Sequence, residues 1–336
     1  MQLYVIPSSG GRFPNQLGFL KILGILGIKP DLVLSCSGGN ICAYTAMFAD
    51  WNIEKKIDII LQTIYNMAVV ESWIPSIFNF IPDAVMLTTK GSIFKDFGDR
   101  NSFVRLFNDI NIKKTEIWSS TYNRLHDKLE CFCNLDINEC YIQTNVEDEN
   151  MVLPNKYLNG NIDKIYQVGR ASASIPGVFP QIWIDNAPYS DGGIASASPL
   201  GALGPAIQNI MKNQSVHFVY LNPRSITHER PYQGDNSISN LLITYYNTTR
   251  FNTFSEELMV RTMLAGYGTL EYKYIEKASA KDLLEWEADK KNYKHSLVEF
   301  TPISIRCLNL LKFDRAEISD LMEETSENFS LRMWWV

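Results

Sequence analysis

The stretch that decides the fold is Leu32-Val33-Leu34-Ser35-Cys36-Ser37-Gly38-Gly39-Asn40-Ile41. A short apolar run precedes the small residues, and from Ile41 onward small and apolar residues recur at helical spacing without a helix breaker. This order predicts a strand, a tight turn and a helix. The segment Ser35–Gly39 has the form of a G-x-S-x-G nucleophile elbow in which serine replaces the first glycine.

A nucleophile elbow holds its serine in a strained backbone conformation, so the residues two before and two after it need very small side chains. Gly39 meets this demand fully and Ser35 nearly so. The turn would place the Ser37 hydroxyl at a helix N-terminus, where free N–H groups favour a developing oxyanion, and the N–H of Gly38 would be one donor. The same residues also fit an ordinary glycine-rich turn between a strand and a helix, and both interpretations stay open at this point.

The chain upstream of this turn repeats the pattern of strand, small-residue turn and helix. A β-prone run at Leu3–Ile6 is followed by a small-residue turn at Ser8–Arg12 and an amphipathic helix over Asn15–Leu26. This predicts a parallel α/β unit, in which ligands bind at the carboxyl ends of the strands. Small residues let backbone N–H groups approach a reacting carbonyl, so Ser9, Gly10 and Gly11 are candidate oxyanion-hole donors. A phosphate-binding loop is disfavoured because no G-K-[ST] follows, while a plain tight turn remains open.

A second informative stretch lies near the middle of the chain. The pattern predicts a helix over Ile165–Ser174, a rigid proline-containing turn, a strand at Gln181–Ile184, and then Asp191 on a glycine turn. An aspartate there can project its carboxylate into a site at the sheet edge, although aspartate in glycine turns is commonly only a turn former. A helix at 200–212 and a strand at Val216–Leu221 continue the α/β pattern.

The remaining segments are less regular. Residues 50–112 are apolar and aromatic with interrupting prolines, which predicts either a lid over the site or part of the core. Residues 116–146 predict a strand hairpin, 241–293 are mostly helical, and Ser296–Ile305 predicts another strand before a final helix from Asp314. We therefore expect a catalytic core over 1–223 and a mostly helical extension over 224–336 that packs on the core.

Composition excludes several functional classes. The net charge of -6 argues against nucleic acid as the main partner. The sequence shows neither a secretory signal nor an apolar run long enough to span a membrane, so we expect a cytoplasmic protein, able to act at a membrane periphery. Six cysteines in 336 residues indicate a reducing compartment. Cys131, Cys133 and Cys140 with His126 match no common zinc spacing, and buried thiols are the favoured interpretation over a metal site.

Three separated segments resemble the motifs of the patatin-like phospholipases. Ser8-Ser9-Gly10-Gly11-Arg12 resembles that family's G-G-G-x-R-G turn, and Ser35–Gly39 stands where the family has G-x-S-x-G. Arg170-Ala171-Ser172-Ala173-Ser174-Ile175-Pro176-Gly177-Val178-Phe179-Pro180 with Asp191-Gly192-Gly193 resembles R-A-S-x-A-I-P-G-x-F-P and D-G-[GA]. The resemblance runs from residue 3 to about residue 221, and the order and spacing of the motifs make it specific.

The resemblance implies a three-layer α/β/α sandwich with a mainly parallel central sheet. It also implies hydrolysis of acyl esters on lipids or a membrane surface by a Ser-Asp dyad, without histidine, calcium or another cofactor. Ser37 takes the place of the nucleophile and Asp191 that of the base, Ser9 and Gly10 match the oxyanion turn, and Arg12 its arginine. The chain departs from the family where Ser8, Ser9, Phe13 and Ser35 replace glycines, and each departure bears on the placement of an N–H group.

Other mechanisms and functions compete with this one. A Ser-His-Asp triad would need one of His126, His217, His228 and His295, none of which lies in a supporting motif, and His217 fits a packed strand position. An esterase acting on soluble acyl esters, or a catalytically silent lipid-binding protein on the same scaffold, would also fit the pattern. The sequence does not fix the head group or the acyl position that is cleaved.

Overall fold

The central sheet is built from strands that lie throughout the chain. The computed structural model describes residues 1–10, 13–56, 115–144, 155–223, 237–266, 270–275 and 280–300. The strands of its 10-stranded sheet are β1 (Gln2–Ile6), β2 (Leu32–Cys36), β3 (Glu116–Asn123), β4 (Lys128–Cys133), β5 (Asn155–Tyr157), β6 (Ile182–Ile184), β7 (Ala187–Asp191), β8 (Val216–Leu221), β9 (Leu270–Ile275) and β10 (His295–Phe300).

The order of neighbouring strands is β5-β4-β3-β2-β1-β8-β10-β9. In this order the six strands β3-β2-β1-β8-β10-β9 all pair in parallel with their neighbours. Strands β4 and β7 both pair antiparallel to β3. Parallel pairing brings the carboxyl ends of β1, β2, β8 and β10 to one edge of the sheet, where α/β proteins place their ligands.

Helices cover both faces of this sheet. Seven α-helices lie in the described residues: α1 (Phe13–Ile25), α2 (Gly38–Phe48), the single turn α3 (Tyr141–Thr144), α4 (Ile162–Ser172), α5 (Leu200–Asn213), α6 (Ser237–Ala265) and α7 (Ala280–Asp289). Tyr4 and Ile6 of β1 pack with α1, α2, α4 and α7, whereas Leu3 and Val5 pack with α3, α5 and α6. The period of two along a strand thus divides the core into two apolar layers.

The predicted three-layer α/β/α sandwich is confirmed. The elements predicted around residues 3–48, the hairpin after 116 and the strand at 216–221 are all present within a few residues of their expected bounds. Beyond residue 223, α6 and α7 lie in the region predicted as mostly helical, but β9 is a strand within that region, and β9 and β10 extend the central sheet. The greater part of the predicted lid segment at 50–112 and the predicted final helix lie outside the described residues. No helix among the described residues has the length and apolar character needed to cross a bilayer.

A buried polar network connects α6 to strand β10 of the central sheet. Glu299 on β10 is fully buried, and its carboxylate accepts a hydrogen bond from Asn222 at 3.1 Å and contacts Arg261 of α6 at 3.3 Å. Arg261 also pairs with Glu257, one turn earlier on the same helix. Burial, followed by the nearby Glu257 charge, raises the pKa of the Glu299 carboxyl.

This network makes folding stability depend on pH. The folded state holds the Glu299 proton more tightly than the unfolded chain, so the stabilising contribution is complete below the ordinary carboxyl pKa of 4.5 and is lost as pH rises through the raised value. We expect the free energy of unfolding of Glu299→Gln, measured by urea denaturation, to increase relative to that of the wild type as pH rises from 5 to 8. A difference between the two proteins that does not change with pH would contradict this account.

Candidate active site

The long strand β3 brings two distant parts of the chain together. Its first half pairs with β2, ending with Cys36 opposite Ser120, and its second half pairs with β7, beginning with Thr121 opposite Asp191. Since β4 pairs along the other side of β3, from Trp118 to Asn123, β2 and β7 share the same side and run toward each other. The chain leaves β2 at Ser37 at the point where β7 ends at Asp191.

The turn after β2 has the strained backbone of a nucleophile elbow. Ser37 adopts φ 55° and ψ -128°, a region that residues with a Cβ atom rarely occupy, and α2 begins at the next residue. Gly39 is required by close packing, because a Cβ there would lie 2.2 Å from the carbonyl oxygen of Ile6 and 2.6 Å from that of Pro7. The predicted order of strand, tight turn and helix is therefore confirmed for this stretch.

Ser37 and Asp191 meet in a direct hydrogen bond. The Ser37 hydroxyl donates to Oδ2 of Asp191 at 2.6 Å, and both residues are almost fully buried. The other carboxylate oxygen, Oδ1, accepts the backbone N–H of Gly193 at 2.7 Å. The glycine turn therefore fixes the carboxylate plane and leaves Oδ2 directed at the serine.

The end of α4 supports both residues. Ser37 N–H donates to the hydroxyl oxygen of Ser172 at 2.8 Å, and that hydroxyl donates in turn to the Ser120 carbonyl at 2.7 Å. The N–H of Asp191 donates to the Ser174 carbonyl at 2.9 Å. Ser172 lies in the motif at 170–180, but no local pattern indicates its role, because it holds the elbow through a contact between distant residues.

Serine at position 35 is accommodated without displacing the elbow. The Ser35 hydroxyl lies 2.9 Å from Oδ1 of Asn40, which also accepts a hydrogen bond from Ser119 at 2.7 Å. A glycine at this position would have no hydroxyl to bond Asn40. The serine that departs from G-x-S-x-G thus joins a buried hydrogen-bond network that links β2, α2 and β3.

The turn at residues 8–10 packs directly on the elbow. A Cβ on Gly38 would lie 2.4 Å from the Ser9 hydroxyl oxygen and 2.8 Å from the Gly10 carbonyl oxygen, so Gly38 must be glycine. Ser8 N–H donates to the Ala197 carbonyl at 2.7 Å, which ties this turn to the segment after Asp191. As the first residue of α2, Gly38 has an N–H without an intrahelical acceptor. Of the other predicted oxyanion residues, Ser9 and Gly10 lie beside the elbow, whereas Gly11 and Arg12 lie outside the described residues.

The hydroxyl groups of Ser8 and Ser9 are both buried at this turn. The side-chain oxygens of Ser8 and Ser9 are buried, and neither has a hydrogen-bond partner among the residues that the structure describes. The Ser8 oxygen would lie 2.6 Å from a Cβ on Gly193, so one free hydroxyl faces the aspartate turn and the other faces the elbow.

The described histidines lie away from the serine. His217 at the start of β8 pairs with Gln2, and His295 at the start of β10 pairs with Val216, so both occupy the amino-terminal edge of the parallel strands, opposite the site. Burial lowers the pKa of His217 to about 4. His126 lies in the exposed β3–β4 turn, and His228 is outside the described residues. The described residues therefore offer Ser37 an aspartate and no histidine.

The five cysteines in the described residues, Cys36, Cys42, Cys131, Cys133 and Cys140, are buried free thiols. Burial and the neighbouring Asp191 charge raise the pKa of Cys36, which keeps it a neutral thiol beside the serine. Of the zinc ligands considered from the sequence, Cys133 and Cys140 lie together with Glu116, with ligand atoms within 4.8 Å of one another. The Glu116 carboxylate already accepts hydrogen bonds from Trp118 Nε1 at 2.6 Å and from the Cys140 thiol at 3.1 Å, so hydrogen bonds account for this cluster.

Comparison with known proteins agrees with this geometry. The family model described as Patatin-like phospholipase matches residues 5–203 of the chain. The matched range begins at the end of β1, contains the elbow, α4 and β7, and ends in the first turn of α5. No curated protein sequence matches the chain.

The packing at Gly39 predicts a specific loss of stability. In Gly39→Ala the new methyl group meets two backbone carbonyl oxygens that cannot move without shifting β1, so we expect a loss of about 1–3 kcal/mol in unfolding free energy. The control is Gly169→Ala in α4, where the nearest atom to the new Cβ is 3.9 Å away. This control is expected to be neutral or slightly stabilising, since alanine is the better helix former. Equal effects of the two changes in urea denaturation would contradict the packing argument.

The contact between Ser172 and the elbow predicts a second effect. Ser172→Ala leaves the buried N–H of Ser37 without an acceptor, which costs about 1–3 kcal/mol of stability. Ser174→Ala is the matched control, because that hydroxyl only donates to the Arg170 carbonyl at 2.8 Å within its own helix end. Thermal unfolding of both variants checks the expectation, and a Ser174→Ala loss as large as that of Ser172→Ala would count against it.

Proposed function

The chain belongs to the patatin-like phospholipase family, and on that premise we propose that it is a serine acyl hydrolase that cleaves fatty acyl esters of phospholipids or related lipids. The observation that carries the proposal is the 2.6 Å hydrogen bond from the Ser37 hydroxyl to the Asp191 carboxylate. Both groups lie at the carboxyl edge of the parallel strands, where this fold class binds ligands.

In the proposed first step, Asp191 Oδ2 takes the Ser37 proton as the serine oxygen attacks the ester carbonyl carbon. The carbonyl π bond breaks and its electron pair becomes the oxyanion of a tetrahedral intermediate. The N–H of Gly38, together with the N–H groups of Ser9 and Gly10, would donate to that oxyanion, and such donors lower the barrier by about 2.7–4 kcal/mol each in other hydrolases.

In the second step the intermediate collapses, the bond to the leaving alcohol breaks, and Asp191 returns the proton to the departing oxygen. The acyl group stays on Ser37 as an ester. Water then attacks this acyl-enzyme, with Asp191 again accepting and returning a proton, and releases the fatty acid. The Gly193 N–H that holds Oδ1 supports this role because the aspartate need not reorient between steps.

The proposal predicts covalent capture of the serine. Wild type is expected to react with a fluorophosphonate probe at Ser37, and Ser37→Ala to lose labelling and reduce lipid hydrolysis on the order of 10³-fold or more. Ser215→Ala is the control, because Ser215 is an exposed serine just before β8, at the opposite edge of the sheet. Asp191→Asn should remain folded and lose activity on the order of 10³–10⁴-fold, since the amide cannot accept the proton.

The choice of substrate separates lipids from soluble esters. We expect hydrolysis of a phospholipid to rise when the lipid passes from monomers to micelles, measured as fatty acid released per enzyme. A rate that tracks only monomer concentration would identify an esterase for soluble esters. A folded wild type that neither labels nor hydrolyses lipid would overturn the proposal and favour a catalytically silent scaffold.

A further inference from the structure

The segment that follows Asp191 connects the two halves of the site. Gly193 donates its N–H to the Asp191 carboxylate, and four residues later the Ala197 carbonyl accepts the N–H of Ser8 at 2.7 Å. The aspartate turn and the oxyanion turn are therefore both fastened to residues 192–198. Whatever holds this segment in place also sets the distance between the base and the oxyanion donors.

Two polar residues of α6 hold that segment. Asn252 donates from Nδ2 to the Gly193 carbonyl at 2.9 Å. Glu256, one turn further along, accepts from the Ser196 hydroxyl at 2.5 Å and from the Ser198 N–H at 2.7 Å through Oε1. Its second oxygen accepts the Ser198 hydroxyl at 2.7 Å. The carboxylate thus binds the residues on both sides of Ala197, whose carbonyl accepts the Ser8 N–H of the oxyanion turn.

On these contacts we propose that Glu256 is a positioning residue for the hydrolase, which aligns the oxyanion turn with the Ser37–Asp191 pair by clamping residues 196–198. The inference rests on the proposed function. Glu256 lies outside residues 5–203, the range that the family model matches, so the clamp is supplied by a part of the chain beyond the family core.

Glu256 is a carboxyl group in a buried environment that disfavours its charged form. The side chain is 5% exposed, and burial raises its pKa to about 7 despite the serine and N–H donors that stabilise the charged form. Its charge acts on buried groups of three strands: Cys36 of β2, Cys131 of β4 and Tyr220 of β8. Asp191 acts on the same Cys36 thiol, so the charges of both carboxylates reach one buried group.

A purely structural role is the competing explanation. The Ser198 hydroxyl accepts the Leu200 N–H at 3.1 Å, so Glu256 also steadies the start of α5. A helix cap of this kind would change stability without changing the alignment of the site. The test must therefore separate the rate constant of the folded enzyme from the fraction that is folded.

The experiment compares Glu256→Ala with Glu256→Gln and Glu257→Ala in the full chain. Gln can accept the Ser198 N–H and the Ser196 hydroxyl through Oε1 and donate to the Ser198 hydroxyl through Nε2, so it should restore the clamp. Glu257 is the matched control, because it is a buried carboxylate on the same helix that pairs with Arg261 instead of the 192–198 segment.

For Glu256→Ala we expect kcat on micellar phospholipid to fall about 10–100-fold with KM changed less than about twofold, since a 1 Å misplacement can cost about 100-fold. The rate of fluorophosphonate labelling per folded molecule should fall by a similar factor. Glu256→Gln should recover most of the rate, and Glu257→Ala should lower the unfolding temperature while keeping the wild-type kcat.

If Glu256→Ala does not fold, Glu256→Asp replaces it, since this change keeps the charge and withdraws it by one methylene group. The same fall in kcat is then expected. Wild-type kcat and labelling rate per folded molecule in the variant used would overturn the positioning role while leaving the proposed function intact. A folded wild type that shows neither labelling nor hydrolysis would overturn both.

Discussion

The structure depends on one constraint of strand pairing: β2 and β7 occupy the same side of β3, end to end and in opposite directions. A strand edge has a single row of N–H and C=O groups, so two strands that share it must stop where they meet. The chain can leave β2 only by turning sharply, and it does so at Ser37. The residue that ends β7 is Asp191, and hydrogen-bond register alone therefore brings the serine and the aspartate together.

This constraint also explains where strain is stored. The backbone of Ser37 is held in a region that costs of order 1–3 kcal/mol, and it persists because its surroundings over-determine it. Ser172 takes its N–H, while the Ile6 and Gly10 carbonyls close around Gly39 and Gly38. Most of these partners are backbone atoms or short hydroxyl side chains, since only small groups let three loops approach within hydrogen-bond distance.

Sequence reasoning could find the parts of the site but not their assembly. Apolar periodicity and glycine placement predicted β1, β2, α1 and α2, because those signals are local. The pairing of β3 with β7 joins residues about 70 positions apart in antiparallel register, and no local pattern encodes it. Ser172 and Glu256 were missed for the same reason, since each acts through contacts with distant segments. The strand β9 lies within 241–293, which the sequence pattern predicts as mostly helical with charges, and its place beside β10 depends on pairing with a distant strand.

Helix α6, which lies beyond the matched residues 5–203, holds a segment of the site in place. Residues 192–198 bind the aspartate turn on one side and the turn at residues 8–10 on the other, yet their own buried hydroxyl and N–H groups need acceptors. A buried donor left unpaired costs about 1–3 kcal/mol, so this segment cannot hold its shape from core contacts alone. Asn252 and Glu256 of α6 supply a donor and an acceptor one helical turn apart. The same helix is bound to β10 through the contact between Arg261 and Glu299. The position of the site therefore also depends on β10, one of the strands that extend the sheet beyond β8.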